Sequence, residues 1–166
     1  MMHGIRELDR EESADRQKRF AEHLGRIVVL YADSAVNHYP MFMLKRWLFP
    51  ALDQGQYAIF ADEDDRVVAM VSWAFLDARR SRDMAEGDIG MLHPSEWSEG
   101  LNLWVVDFVA PYGHARAVTR YLRDVIFREK KLSFGVKRNA EGEVIRTRQF
   151  SRQSGGREAA GFVGRL

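Results

Sequence analysis

Asp107 stands inside Leu103-Trp104-Val105-Val106-Asp107-Phe108-Val109, the most apolar run of the chain. An ionised carboxylate in such surroundings is costly unless a partner or a hydrogen-bond network satisfies it. Two roles fit. It is half of a buried ion pair with an arginine, or it orients an imidazole and stabilises that ring once charged. His38 is the natural imidazole. It sits in a connection just before Pro40, and loops held by a rigid scaffold tend to carry catalytic groups. The alternative is an ordinary polar loop residue. His3 and His23 lie among charges and read as solvated, and His93 precedes Pro94 in a polar stretch. No two histidines have helical metal-ligand spacing and the chain has no Cys. No metal centre, disulfide or thiol nucleophile is therefore expected.

Gly113-His114-Ala115 joins the Asp107 strand to a helical pattern. Unpaired amides at such a junction can meet an anion, and Gly lets a phosphate approach. His114 could touch the same anion. Plain turn chemistry is the rival reading. Lys137, Arg138, Arg146, Arg148, Arg152 and Arg157 gather late in the chain. They form either a docking patch for an acidic partner or a solvated hairpin face. Phe42 and Met43, close to His38, are candidates for an apolar pocket or for simple core.

These residues need elements to hold them. Phe20, Leu24, Ile27, Val28 and Tyr31 recur at helical spacing, and Asp33-Ser34 ends that helix. A second helix carries Leu44, Trp47, Leu48 and Leu52 on one side, and Pro50 should kink or shorten it. Tyr57–Phe60 and Val67–Phe75 form a hairpin about the turn Asp62-Glu63-Asp64-Asp65. Residues 77–100 read as a long surface excursion. In the Asp107 strand, simple alternation puts Leu103, Val105, Asp107 and Val109 on one face and Trp104, Val106 and Phe108 on the other. Ala117, Val118, Tyr121, Leu122, Val125 and Ile126 give a 3.6-residue period. Leu132–Val136 and Val144–Phe150 make a last hairpin about Asn139–Gly142. The pattern is α+β with one mostly antiparallel sheet. The strand–helix–strand run implies one parallel crossover.

The expected organisation is a mobile arm over 1–17, a folded domain over 18–150 and a flexible tail over 151–166. The 166 residues fit one domain, and 46% hydrophobic residues suffice for a core. A formal charge of +1 argues against general nucleic-acid binding. No apolar stretch approaches the roughly 20 residues of a membrane span, and no signal peptide is visible. A cytoplasmic protein is expected.

The segment Trp104-Val105-Val106-Asp107-Phe108-Val109-Ala110-Pro111-Tyr112-Gly113 resembles a signature of the RTX-toxin-activating lysine acyltransferases, the small C proteins of haemolysin-type operons. That signature reads Trp-x-x-Asp-x-(Ile/Val)-Ala-Pro-(Phe/Tyr)-Gly. Tyr31-Ala32-Asp33-Ser34 with His38 and Pro40 is similar to the family's helix end and His-containing loop. Phe49-Pro50-Ala51, Gln56-Tyr57-Ala58, Val71-Ser72-Trp73-Ala74 and Glu96-Trp97 with Gly100 agree further, in the same order, over roughly residues 24–150. The family often has Ser-x-x-His. Here Ala35 holds the Ser position and Ser34 stands one residue earlier.

The resemblance implies an N-acetyltransferase-like (GNAT-like) fold. It implies transfer of a fatty acyl group from acyl carrier protein to an internal lysine of an RTX protoxin, which is thereby activated. The family's catalytic His falls on His38 and its Asp on Asp107. Acyl-phosphopantetheine is then the donor, with no tightly bound cofactor, and a homodimer is left open. In this reading His38 is the general base that frees the lysine amine, whose ammonium otherwise titrates near about 10.4. Asp107 holds the imidazole, while Gly113, His114 and Ala115 meet the phosphate. An acyl-His intermediate is the rival path. An acetyl-CoA-dependent N-acetyltransferase and a non-catalytic partner-binding module are the rival functions. The Arg/Gln that leads the pyrophosphate loop of coenzyme A-dependent enzymes is missing before Gly113.

Overall fold

A computed structural model describes residues 6–7, 16–86, 92–130, 132–138 and 144–151. Strand β1 is Arg6–Glu7. Helix α1, Arg16–Ala32, follows, then α2, Met41–Met43, a π-helical turn Leu44–Leu48, and α3, Phe49–Gln54. The hairpin is β2, Tyr57–Ala61, and β3, Val67–Leu76. Helix α4, Ala78–Ala85, and a 3₁₀ turn, Pro94–Ser98, lead to β4, Asn102–Val109. Helix α5, Ala115–Tyr121, runs into a second π-helical turn, Leu122–Ile126. Strands β5, Leu132–Arg138, and β6, Val144–Ser151, close the order. The six strands lie in sequence order in one sheet. All neighbours are antiparallel except β4 and β5, which are parallel as the crossover requires. The architecture is α+β.

Each face of the sheet buries its own cluster. Ile27 and Leu30 of α1, with Trp47, Leu48 and Leu52, cover Ile59, Met70, Ala74 and Trp104 on one side. Val118, Leu122 and Phe127 cover Phe60, Val71, Trp73 and Leu103 on the other. Truncating a fully enclosed side chain such as Trp104 would cost about 3–5 kcal/mol.

Several expectations change. Pro50, expected to kink or shorten its helix, stands in a helical run that continues to Gln54 but is interrupted just before the proline. It lacks an N–H and its ring would clash with the carbonyl four residues back. The π turn just before it supplies the wider register, with the Phe49 amide donating to the Leu44 carbonyl. The second π turn shifts the phase of the late helix, so Val125 is 54% exposed rather than core. Residues 77–100 are not merely a surface excursion. They contain α4, capped by the Asp77 side chain on the Arg80 amide, and they bury Met84, Leu92 and Trp97. His23 is not solvated. It is 6% exposed on the covered stripe of α1, and its Nδ1 shares a 2.6 Å hydrogen bond with the Tyr57 hydroxyl. Val28, by contrast, is 38% exposed.

Within the arm expected over 1–17, Arg6 and Glu7 pair with Ala61 and Phe60 of β2. The tail beyond Ser151 and the turn 139–142 lie outside the described residues, as do Arg152, Arg157 and the side chains of Lys137, Arg138 and Arg148. Among the described residues no helix is long and apolar enough to cross a membrane.

Candidate active site

The ladder between β3 and β4 slips by one residue in its middle. Ser72 faces Asp107, yet Trp73 faces Val105, so Val106 is an extra residue on β4. Such a bulge re-aims the side chains beyond it. Asp107 therefore leaves the face of Leu103 and Val105, where simple alternation put it. It joins Trp104, Val106 and Val109 on the side covered by α1. There it is 8% exposed, and the Tyr31 hydroxyl donates to its Oδ2 at 3.4 Å. Tyr31 belongs to the last turn of α1 and is itself buried. Across the ladder Ser72 is fully buried, and its hydroxyl has no hydrogen-bond partner among the described residues. A buried hydroxyl left unpaired costs about 1–3 kcal/mol.

His38 lies in the turn after α1 and is exposed. It makes no hydrogen bond or ion pair among the described residues. Its neighbour Tyr39 packs edge-on against Tyr31, with ring centroids 6.5 Å apart. The Tyr39–Tyr31–Asp107 series links the His38 turn to the buried carboxylate through two contacts. Ser34 cannot serve as a free hydroxyl in this turn. It donates to the Tyr31 carbonyl at 2.8 Å and accepts from the Val36 amide at 3.2 Å.

The junction after β4 is fastened from the side. The Tyr112 hydroxyl donates to Asp33 Oδ2 at 2.7 Å, and the Arg66 guanidinium lies 4.1 Å from the Tyr112 ring centroid. Arg66 also reaches Asp33 at 4.0 Å. These residues tie the end of α1, the β2–β3 turn and the β4–α5 turn together. With Arg26, Val29, Leu30 and Val67 they line a cavity of about 200 Å³. Gly113 has φ +87°, a conformation that disfavours any side chain, although a Cβ there would meet nothing. His114 precedes the first turn of α5, and its Nδ1 is buried without a partner among the described residues. Ala115 begins α5 and is exposed.

The parallel ladder pairs Leu103, Trp104 and Val105 with Ser133, Phe134 and Gly135. Among the described residues no further pairs join β4 to β5, although β4 continues to Val109 and β5 to Arg138. The two strands part at the bulge, towards their C-terminal ends. In open sheets that end of parallel strands is where ligands settle. Met43 is core, accepting a contact from Trp47 Nε1 at 3.3 Å, whereas Phe42 is exposed. Tyr31, Ser72, Asp33 and Arg66 were not singled out by sequence. Tyr31 and Ser72 read there as helix stripe and strand motif, and only the bulge brings them to the carboxylate.

Residues 16–151 match the model of the RTX toxin acyltransferase family. An uncharacterized protein of Synechocystis sp. is 30% identical over 124 residues, which are 74% of this chain and 83% of that one. Lysine-acyltransferase RtxC of Vibrio cholerae is 28% identical over 107 residues, 63% of this chain and 68% of its own length. Leukotoxin-activating lysine-acyltransferase LktC of a Pasteurella haemolytica-like species is 31% identical over 103 residues, 61% of each chain.

Proposed function

The chain belongs to the RTX toxin acyltransferase family and is an acyltransferase; on that premise we propose that it moves a fatty acyl group from the phosphopantetheine thiol of acyl carrier protein to an internal lysine of an RTX protoxin. The transfer activates the protoxin, and it takes place in the cytoplasm, where the donor is made. The donor is a substrate, and no tightly bound cofactor belongs to the reading.

The observation that carries it is the bulge at Val106. It turns the one buried carboxylate of β4 towards the helix that ends at the His38 turn, at the place where β4 and β5 separate. The sheet order and the parting parallel pair also favour an N-acetyltransferase-like fold. The donor's arm would run along the unpaired edge of β4 beyond Val105. The junction Gly113-His114-Ala115 would meet its phosphate with backbone amides and the unpartnered His114 Nδ1.

His38 acts as general base. It takes a proton from the lysine ammonium, and the freed amine attacks the thioester carbonyl. A C–N bond forms and the C–S bond breaks; the second proton of the attacking nitrogen passes to the departing thiolate, and the proton held by His38 is released to solvent. Asp107, held by Tyr31, steadies the imidazole while it is charged. Catalytic hydrogen bonds are often completed only in the substrate complex. The His38–Asp107 contact is assigned to that stage.

The test is intact mass of a protoxin fragment incubated with this protein and either an acyl carrier protein thioester or the matching coenzyme A thioester. Gain of one acyl mass on lysine from the carrier alone is expected, with none for His38→Ala. Equal use of the coenzyme A thioester would hand the site to an acetyl-CoA type of enzyme.

A further inference from the structure

The helical segment that follows the His38 turn carries two large apolar side chains in the open. Met41 is 78% exposed and Phe42 51%. Lys45 and Arg46 follow one turn later and are exposed too. Residues four or five apart share a side in a segment that passes from α-helix into a π turn. The Arg46 guanidinium lies 4.7 Å from the Phe42 ring centroid. Neither cation has a carboxylate partner among the described residues. Arg79, Arg82, Arg116 and Arg120 are likewise exposed without a carboxylate partner among the described residues. What sets this segment apart is the two exposed large apolar side chains beside its cations. Other arginines are paired. Arg26 is paired with Asp65, Arg66 with Asp33, Arg80 with Glu96 and Arg123 with Asp124.

We propose that Met41, Phe42, Lys45 and Arg46 form the surface on which the protein carrier of the acyl donor docks, a carrier that presents carboxylates around a few apolar side chains. The assignment rests on the donor reading above and says where that donor lands. Apolar side chains at the centre of a contact supply affinity, and opposite charges around them supply approach rate and register. The chain as a whole is only +1, so attraction for an acidic carrier must be local. At 1.5 Å of rise per residue the four side chains fall within about 8 Å of helix axis. The first of them stands three residues after His38. A carrier seated there releases its arm beside the general base. So small a patch suits an encounter that must end after each transfer.

The rival surface is the basic β5–β6 hairpin, represented by Arg146. The rival occupant is a second copy of this chain. The test compares kcat/KM for the carrier-borne thioester with kcat/KM for the same acyl group on free pantetheine, using the full chain. Lys45→Glu/Arg46→Glu should lower the ratio by about tenfold and flatten its dependence on salt. Phe42→Ser, which changes no charge, should lower it by about threefold or more and serves if the charge variant fails to fold. Arg146→Glu should leave the ratio within about twofold.

A ratio unmoved in the first two variants refutes the surface alone, as does loss of the ratio in Arg146→Glu. So does a change in sedimentation of Phe42→Ser with the ratio intact, which would make the patch a contact between copies. A wild-type protein that takes no acyl group from the carrier refutes the donor reading and this surface together.

Discussion

The pair proposed for chemistry differs in burial, and that difference suits the roles. His38 is exposed, where an incoming lysine can reach it, while Asp107 is 8% exposed and holds its place through the Tyr31 hydroxyl. His38→Ala should lower transfer by about 10²–10⁴-fold, the range of general-base catalysis, with an unchanged melting temperature. A variant that kept wild-type acyl transfer would dismiss His38 from the chemistry. Tyr31→Phe removes one hydroxyl and little else. It should lower kcat by about tenfold, the equivalent of a hydrogen bond to a charged group, with KM for the donor nearly unchanged. Because Tyr31 acts through Asp107, its effect should vanish in an Asp107→Asn background. Full additivity in that double-mutant cycle would show that Tyr31 serves the core instead.

At the scale of elements, two glycines separate conformational strain from steric overlap. Gly113 needs its positive φ but has open space where a Cβ would go. Gly113→Ala should cost about 1–2 kcal/mol, from strain alone. At Gly100 a Cβ would overlap the backbone carbonyl of Leu76, to which the chain returns as the Gly100 amide donates to the Phe75 carbonyl at 2.8 Å. Backbone cannot move aside as a side chain can, so Gly100→Ala should exceed about 3 kcal/mol or prevent folding. Urea unfolding of both variants decides, and equal costs would contradict the distinction.

The same scale shows what was legible beforehand. Helix α1, both hairpins, the β4 strand and the parallel crossover follow from hydrophobic period and turn residues. The bulge does not, because Leu103–Val109 contains no Gly or Pro to mark it and every residue but Asp107 suits a regular strand. Nor do the two π turns, whose extra residue leaves composition unchanged. His23 was readable after all. It lies three residues after Phe20 and four before Ile27, on the buried stripe, and only its charged neighbours suggested solvent.

Over the whole molecule, the buried His23–Tyr57 pair ties α1, which ends in the His38 turn, to the second strand of the sheet. Burial lowers the His23 pKa below its ordinary 6.5, against the opposing charge of Glu22 and with help from Arg19 and Arg26. The folded state therefore resists a proton that the unfolded chain accepts. Above the unfolded value both states hold a neutral ring and stability is indifferent to this group. As pH falls from about 6.5 towards the lowered folded value, the unfolded chain binds the extra proton and stability drops. Below the folded value the loss levels off. His23→Gln keeps a polar side chain near the Tyr57 hydroxyl but cannot titrate. It should be less stable than wild type at pH 7.5, because the packing is poorer, yet it should lose less on going to pH 5.5. Urea midpoints at the two pH values measure this. Parallel losses in both proteins would mean that the acid sensitivity of the fold resides in other groups, and that α1 is held to the sheet by its apolar stripe alone.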